Sequence, residues 1–550
     1  MGIVPCSNCL GRTFLVSRRI LPGIGFFRHP NNRKQVLKRY TTRISSTPMS
    51  TNISAEALVG LEPAKLWSFF GTLSSIPRPS FQEEKVVEWL KAFAEERDLE
   101  WSQDTKGNLV IRHPGTMSGK KAQPVIIQNH VDMVTEKNED TVHDFSKDPI
   151  RLMRDGDWIK ADGTTLGADN GIGASCCLAI LDIPKDSTDC LLPPIEGLFT
   201  IAEEVGLVGA FNLDGSMLKG KSLLNLDTED WPDIFIGCAG GGDTIMTLNV
   251  GTTKLPAEYS CVEIKVTGLA GGHSGLDIAL DRANAVKLAS EIVEFIWESI
   301  PEAQLVEIHG GDKRNAIPRE CSVMVAVPQS RHQDLASLVQ KCQAEYLMEY
   351  GKKEDVSISI VKQSDADKAM VNTDAQRLVT LLLGLPHGVM KHSQALEDLV
   401  ETSSNLASVK HTSINNDGSL QYSVQCTTRS SIGSALERVR RSIRRLGESC
   451  QAQIQQSAAY PGWLPTPDAE IIQLSRQAIE EVTGKDVELK AIHAGLECGI
   501  LGQKIEGVEC VSFGPTIKGA HSPDEKVQIS TVLPFYNATL KILERLAEKH

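Results

Sequence analysis

Histidine and acidic side chains stand where several apolar segments of the sequence end. His130 and Asp132 lie two residues apart in VIIQNHVDMV, so on an extended backbone they share one face. Asp169 precedes an apolar helix in TTLGADNGIGASCC, Asp227 ends the apolar run KSLLNLD, and His521 lies in the turn KGAHSPDE. Each residue alone has an ordinary explanation as a cap, turn or loop residue. Together they predict a site, because ligands of open α/β sheets bind at the carboxyl ends of the strands.

The segment FTIAEEVGLVGA, residues 199–210, places Glu203 and Glu204 side by side in an apolar, glycine-rich run. Burial of an unpaired carboxylate is costly, and a second adjacent carboxylate increases that cost through repulsion. If a strand ends at this point, the strict alternation of side-chain direction is relaxed and both carboxylates can approach one site. Positive charge at that site would make the pair tolerable.

The donor set points to divalent metal ions. Histidine nitrogens with aspartate and glutamate oxygens suit Zn²⁺, or Co²⁺ and Mn²⁺, better than Ca²⁺. One carboxylate shared between two ions, with one histidine and one further acid on each, gives two open tetrahedral sites. Two ions about 3.5–4 Å apart can hold a bridging water and lower its pKa towards neutrality. We therefore expect two divalent ions per chain, with zinc as the first expectation and cobalt or manganese as alternatives.

The motifs HVDMV, GADNGIGA, AEEVGLVGA, NLDTED, GGHSG and AHSPDE occur in the order and spacing of the M20 di-zinc peptidases. The sequence resembles this family over residues 58–548, and IHAGLECG, RNAIPRE and YPGW resemble its aminoacyl-histidine (Xaa-His) dipeptidase branch. The resemblance implies a metal-dependent dipeptidase that hydrolyses short peptides, such as beta-alanyl-histidine or Cys-Gly, by a metal-activated bridging water.

The resemblance also implies a role for each residue of the site. His130 and Asp227 would bind one ion, Glu204 and His521 the other, and Asp169 would bridge the two. Asp132 would orient the His130 ligand. Glu203 would act as the general base and then as the general acid.

At the substrate end, His273 in GLAGGHSG matches the oxyanion-stabilising histidine of the family. Arg429 in QCTTRSS is expected to bind the free carboxylate of the substrate, a bidentate task that suits arginine. Asn315 in GDKRNAIPRE and Gly495 in IHAGLECG are the other expected substrate contacts. Because the lid histidine can come from a partner subunit in this family, the resemblance also implies a homodimer.

Elements of an α/β fold must position these residues. The short apolar runs NLVIRH, PVIIQNHVDMV, GLFTIAEE and KSLLNLD alternate with helical segments such as GIGASCCLAILDI, as in a mostly parallel sheet covered on both faces. A second α+β unit begins near residue 255, and YPGW near 461 reads as a linker. We predict a zinc-peptidase (phosphorylase/hydrolase-like) catalytic domain from residues 55–254 and 461–550, interrupted by an inserted lid and dimerisation domain at 255–460.

Residues 1–50 differ in charge from the rest of the chain. They contain nine basic side chains and no acidic one, whereas the remaining 500 residues carry 48 basic and 70 acidic side chains. A basic, Ser/Thr-rich leader without acids is typical of a transit peptide, and we expect a mitochondrial or, alternatively, a plastid location. Translation from Met49 would give a cytoplasmic form. The net charge of −13 argues against nucleic acid as a partner, and no apolar run is long enough to predict a membrane span.

Two other classes of function remain open from the sequence. Enzymes of the same superfamily deacylate N-acyl amino acids or cleave tripeptides with nearly the same ligand set. A binding protein that kept the fold is disfavoured, because such a protein has no need of the base expected at Glu203.

Overall fold

The computed structural model describes residues 56–364, 366–415 and 418–549. The predicted leader at residues 1–50 lies outside these ranges, so its assignment stays a prediction. No helix within the described ranges is long and apolar enough to cross a bilayer.

The described residues contain 25 strands, which are numbered here in chain order. They are β1 Glu100–Gln103, β2 Leu109–His113, β3 Val125–His130, β4 Leu152–Asp155, β5 Trp158–Ala161, β6 Ile195–Thr200, β7 Ser222–Asn225, β8 Ile234–Cys238, β9 Gly240–Val250, β10 Thr252–Lys254, β11 Tyr259–Thr267, β12 Gly272–His273, β13 Gln304–Gly310, β14 Ala316–Ile317, β15 Cys321–Pro328, β16 Ser357–Ser364, β17 Lys368–Met370, β18 Gly388–His392, β19 Val400–Ile414, β20 Leu420–Ser430, β21 Gln453–Gln456, β22 Leu489–Ile492, β23 Glu509–Ser512, β24 Ile517–Lys518 and β25 Lys526–Gln528.

The α-helices with described bounds are numbered in the same way. They are α1 Ala64–Ser75, α2 Glu84–Glu96, α3 Ala168–Leu181, α4 Val208–Asn212, α5 Ala285–Ser299, α6 His332–Tyr350, α7 Asn372–Gly384, α8 Gly433–Ser449, α9 Glu470–Thr483, α10 Glu497–Lys504 and α11 Ile529–Ala547.

The first large sheet has eight strands in the order β1-β2-β6-β3-β7-β23-β8-β22. The central pairs β6–β3, β3–β7 and β7–β23 are parallel, as is the outer pair β8–β22. Alternate residues of its strands enter two apolar cores: Leu109 and Ile127 lie in one, and Val110 and Ile126 lie in the other. A sheet buried on both faces has this pattern, and the predicted α/β class is confirmed.

The second large sheet has nine strands, in the order β16-β11-β15-β13-β19-β20-β9-β21 with β18 paired to β19. In β11, Val262, Ile264 and Val266 enter a core that also takes in side chains of α5, α6, α7 and α8. Glu263 and Lys265 alternate with them and are partly exposed. One face is therefore packed by helices, which is typical of an antiparallel sheet in an α+β unit.

The chain passes between the two sheets twice, at adjacent places. Cys238 forms a backbone bridge with Trp463, and Gly241 forms one with Tyr460. All four backbone hydrogen bonds of these bridges measure 2.9–3.0 Å. Because β9 already belongs to the second sheet, that sheet begins at Gly240, ahead of the predicted boundary at 255. The division into catalytic and lid domains itself stays a prediction.

Candidate metal centre

The first candidate ligand lies at the carboxyl end of the central strand β3. His130 is the last residue of this strand, and its side chain is 1% exposed. Its Nε2 atom lies 2.9 Å from Oδ1 of Asp169 and 3.3 Å from Oδ1 of Asp227. The three residues that the sequence assigned to one ion therefore converge on one side of the imidazole.

Asp169 lies between the two histidines. Its Oδ1 faces His130, and its Oδ2 lies 3.2 Å from Nε2 of His521. The backbone departs from helical geometry at Asp169 and Asn170, although both lie at the start of α3. A carboxylate with one oxygen toward each histidine has the arrangement that a bridging ligand needs.

Asp227 follows strand β7, whose last residue is Asn225. The side-chain amide of Asn170 donates to the backbone carbonyl of Leu226 at 2.9 Å and also to Oδ1 of Asp227. Asn170, the residue after Asp169, thus fixes the position of Asp227.

Glu203 and Glu204 lie just after the end of strand β6, which stops at Thr200. Ala202 adopts a positive φ of 47°, so the alternation of an extended strand ends before the pair. Oε2 of Glu204 lies 3.1 Å from Nε2 of His521. Ligand-type atoms of Glu203, Glu204 and His130 all lie within 4.8 Å of one another. The turn therefore brings both carboxylates to the same site.

Asp132 holds this turn in place. Its Oδ1 accepts the backbone N–H of Glu203 at 3.0 Å, and its Oδ2 accepts that of Glu204 at 3.2 Å. The hydroxyl of Ser80 donates to Oδ2 at 2.7 Å, and Nδ1 of His130 lies 3.4 Å from Oδ1. Asp132 is fully buried and contacts the His130 ring on the side away from Asp169.

The histidine pKa values follow from this acidic surrounding. Hydrogen bonds to Asp169 and Glu204 raise the pKa of His521 to about 11. Burial opposes a charge on His130, but Asp227, Asp132 and Asp169 raise its pKa well above the ordinary value. Burial raises the pKa of both Glu203 and Glu204. The centre is rich in negative charge and therefore favours cations.

The residues fit two divalent cations. Ligand atoms of His130, Asp169 and Asp227 lie within 4.8 Å of one another, and so do those of Asp169, Glu204 and His521. Among the described residues, no hydrogen-bond partner satisfies the buried Oε1 atom of Glu204. A buried carboxylate oxygen without a donor, beside two overlapping N/O clusters, is what a metal ligand presents.

Some acids near this centre were not predicted from the sequence, and Glu229 and Glu83 are two of them. Burial, with the charges of Asp169 and Asp227, raises the pKa of Glu229 to about 8. Oε1 of Glu83 accepts the backbone N–H of Ala202 at 2.9 Å and so supports the turn that carries Glu203. Glu229 could have been noticed in the acidic motif NLDTED, whereas nothing in SFQEEKVV distinguishes Glu83.

His273 lies in the short strand β12, which pairs with β14. Its Nδ1 accepts the backbone N–H groups of Gly275 at 3.3 Å and Leu276 at 3.0 Å. These bonds place the ring proton on Nε2 in the neutral form. Burial, together with the nearby charge of Arg429, lowers the pKa of His273 to about 4. His273 therefore presents a neutral N–H donor at physiological pH.

Arg429 lies in strand β20 and is 7% exposed. Its Nη1 donates to the hydroxyl of Tyr460 at 3.0 Å, while its buried Nε has no hydrogen-bond partner in the part of the chain that the structure describes. Within the described residues no carboxylate pairs with this guanidinium. A buried cation of this kind is suited to an anionic group of a ligand.

The other expected substrate residues lie in two different surroundings. A Cβ at Gly495 would come within 3.3 Å of the Tyr460 ring and 3.6 Å of Leu207. This glycine therefore lies between Tyr460, which binds Arg429, and the turn that follows Glu204. Asn315 is exposed, and its backbone carbonyl accepts the N–H of Ser274 at 2.8 Å.

His493, which lies two residues before Gly495, joins this group. Its Nε2 lies 2.7 Å from the hydroxyl of Ser403. A Cβ at Gly275 would collide with the backbone carbonyl of His493 and lie 3.2 Å from Nε of Arg429. His273, Arg429 and His493 of one chain therefore border the same space.

Comparison with known proteins agrees with the motifs. The family model described as peptidase family M20/M25/M40 matches residues 126–549. The chain is 37% identical to the cytosol non-specific dipeptidase of Escherichia coli K12 over 490 residues, which cover 89% of this chain and 99% of that protein.

Among solved structures, the chain is similar to an aminoacylhistidine dipeptidase from Vibrio alginolyticus. The identity is 41%, the TM-score is 0.80, and the match covers 89% of this chain and 98% of the other. The aminopeptidase PepT from Bacillus cereus shares the fold at 14% identity, with a TM-score of 0.55 and coverage of 89% and 100%. As its motifs predicted, this chain belongs to the peptidase family M20/M25/M40.

Proposed function

We propose that this protein is a metal-dependent dipeptidase whose substrates include Xaa-His dipeptides such as beta-alanyl-histidine. Family membership makes the chain a peptide-bond hydrolase, and the two most similar proteins described above are both named dipeptidases. The observation that carries the proposal is the position of Asp169 between His130 and His521, with Glu203 alongside.

In this proposal, His130, Asp169 and Asp227 would hold one ion, and Asp169, Glu204 and His521 would hold the other. The bound ions would polarise the scissile carbonyl and lower the pKa of water. We propose zinc as the native metal, with cobalt or manganese as alternatives.

The side chains of the protein supply the remaining chemistry. Glu203 takes a proton from the attacking water and returns it to the leaving nitrogen. Asp132 fixes the Glu203 backbone and the His130 ring, so base and ligand keep their relative positions. The Nε2–H of His273 donates to the oxyanion that develops on the substrate.

Recognition of the substrate would depend on Arg429. Its buried guanidinium binds the terminal carboxylate, and Tyr460 holds it in place through the 3.0 Å hydrogen bond. Gly495 and Asn315 are the further proposed contacts. We also propose that the protein is a homodimer, and that residues 1–50 direct it to a mitochondrion or plastid.

A dipeptide panel tests this function. The full chain, stripped of metal and then supplied with Zn²⁺, Co²⁺ or Mn²⁺, should hydrolyse Xaa-His and Cys-Gly dipeptides. N-acetyl amino acids and tripeptides should be poor substrates. Hydrolysis of acetyl amino acids in preference to dipeptides would overturn the proposal, as would dipeptide hydrolysis that survives removal of metal.

A further inference from the structure

One buried carboxylate outside the ligand set binds the backbone of the turn that contains Asp169. Oε2 of Glu525 accepts the N–H groups of Leu166 at 2.7 Å and Gly167 at 2.9 Å. Its Oε1 accepts those of Ala168 at 2.7 Å and Asp169 at 3.2 Å. Glu525 is 2% exposed, so all four amides depend on this one side chain.

The same turn is bound from a second side by a buried cation. Nη2 of Arg78 donates to the carbonyl of Gly167 at 2.6 Å, and Nη1 donates to the carbonyls of Val131 at 3.0 Å and Asp132 at 2.9 Å. Gly167 has a φ of +69°, and a Cβ there would come 2.5 Å from Nη2 of Arg78. The guanidinium thus joins the turn of Asp169 to the end of strand β3.

Glu525 also lies four residues after His521. The loop that supplies the last histidine of the centre therefore also supplies the acceptor for the Asp169 turn, 356 residues away in sequence. Four donors on two oxygens fix the orientation of a carboxylate more tightly than one hydrogen bond does.

We infer that Glu525 is a positioning residue for both metal sites, because it fixes the backbone of the bridging Asp169 relative to His521. The inference rests on the proposed ligand roles of those two residues. Groups that hold metal ligands in place contribute on the order of 10–100-fold to metal affinity.

The chain offers a matched control for a buried glutamate that merely stabilises a turn. Glu196 is 3% exposed. Its Oε2 accepts the backbone N–H groups of Lys219 and Gly220, each at 2.9 Å. It lies near the start of strand β6, whereas the candidate centre follows the opposite end of that strand. Glu196→Gln and Glu525→Gln each replace one amide-binding carboxylate by a neutral amide.

The experiment titrates Co²⁺ alone into the metal-free full chain and records the visible d–d absorption, with thermal denaturation in parallel. Wild type and Glu196→Gln should bind two ions with affinities within about twofold of each other. Glu525→Gln should bind both ions at least tenfold more weakly and with an altered spectrum. Equal weakening in both variants, or wild-type binding by Glu525→Gln, would overturn the inference. Failure of the wild-type chain to bind two ions would instead overturn the proposed function.

Two further measurements apply if Glu525→Gln does not fold. Glu525→Asp keeps the charge but is one methylene shorter, so it should lose part of the amide contacts and show an intermediate affinity for Co²⁺. In the wild-type chain without metal, the amides of residues 166–169 should exchange slowly with deuterium. Rapid exchange of these four amides would contradict the inference.

Discussion

The carboxylate of Asp132 accepts the backbone N–H of Glu203 at 3.0 Å, while the same oxygen lies 3.4 Å from Nδ1 of His130. Its second oxygen accepts the N–H of Glu204. One buried side chain therefore sets the position of the proposed base and of a candidate ligand for each ion. This arrangement explains how two adjacent glutamates can be held in a fixed orientation despite their mutual repulsion.

Asp132→Asn should weaken metal binding and lower kcat together. The new NH₂ group would face one of the two backbone donors, so either the turn or the His130 ring must shift. We expect a loss on the order of 10–100-fold in metal affinity or activity, measured by metal titration and steady-state kinetics. Ser80→Ala is the control, because it removes a hydrogen bond to Asp132 but keeps the carboxylate. An Asn variant with unchanged affinity and kcat would refute this role.

Glu203→Gln and Glu204→Ala should separate the base from the ligand. Glu203→Gln should retain metal and fold while kcat falls by roughly 10²–10⁴-fold, the usual contribution of a general base. Glu204→Ala should lose metal as well as activity. Metal content from elemental analysis, set against turnover, distinguishes the two. Equal metal loss in both variants would show that the roles are assigned wrongly.

His273→Ala should lower kcat by about 10²–10³-fold, because it removes a donor to the developing oxyanion. Metal content should change little, since the ring contacts neither candidate ligand cluster in the described residues. KM should also change little, because the oxyanion develops only as the reaction proceeds. The measurement is steady-state kinetics at equal metal loading. A variant that changes KM alone would assign His273 to ground-state binding.

Arg429→Lys should raise KM for free dipeptides by on the order of 10–100-fold, as expected when a charged hydrogen-bonded contact is lost. Dipeptide amides, which lack the terminal carboxylate, should be affected much less. Tyr460→Phe should produce a smaller rise, because it keeps the ring but removes the acceptor of Nη1. An equal rise in KM for free dipeptides and for dipeptide amides would contradict recognition of the terminal carboxylate by Arg429.

Acidification should destabilise the protein through His493. Burial, with the charge of Arg429, lowers the pKa of His493 to about 3, so the native state keeps the ring neutral. Between pH 6.5 and about 3 the unfolded state binds a proton that the native state does not, and stability falls as pH falls. Within that window, the free energy of unfolding of the wild type should fall by about 1.4 kcal/mol more per pH unit than that of His493→Gln, as measured by urea denaturation. If the free energy of unfolding had the same pH dependence in the two proteins, the lowered pKa of His493 would be contradicted.

The sequence singles out the residues that the structure brings together, because each lies at the end of a strong local pattern. Apolar strands end at His130 and before Asp227, and an apolar helix follows Asp169. Order and spacing of the motifs then predict the family, which the comparisons confirm. Such patterns are local, so a single sequence reveals them.

The groups that hold these residues in place could not be predicted in the same way. Arg78 and Glu525 are far apart in sequence, yet both bind the turn at Gly167. Arg78 stands in no motif, and Glu525, although it ends the motif AHSPDE, carries no sign there of its partner. A backbone carbonyl can accept from any donor of suitable reach, and a backbone N–H can donate to any acceptor, so the sequence does not name the pairing. The second sheet begins at Gly240, ahead of the predicted boundary at 255, because strand β9 follows β8 with a single residue, Ala239, between them.

The paired backbone bridges Cys238–Trp463 and Gly241–Tyr460 have a consequence for the architecture of the chain. They bring the two ends of the segment that forms the second sheet within hydrogen-bonding distance, while β8 and β22 remain neighbours in the first sheet. Because the ends of this segment are adjacent, the first sheet does not have to bridge a gap to accommodate it. Lengthening the segment increases the entropic cost of closing it only slowly. The segment between the bridges can therefore change in length while the first sheet keeps the strand ends that carry the candidate ligands.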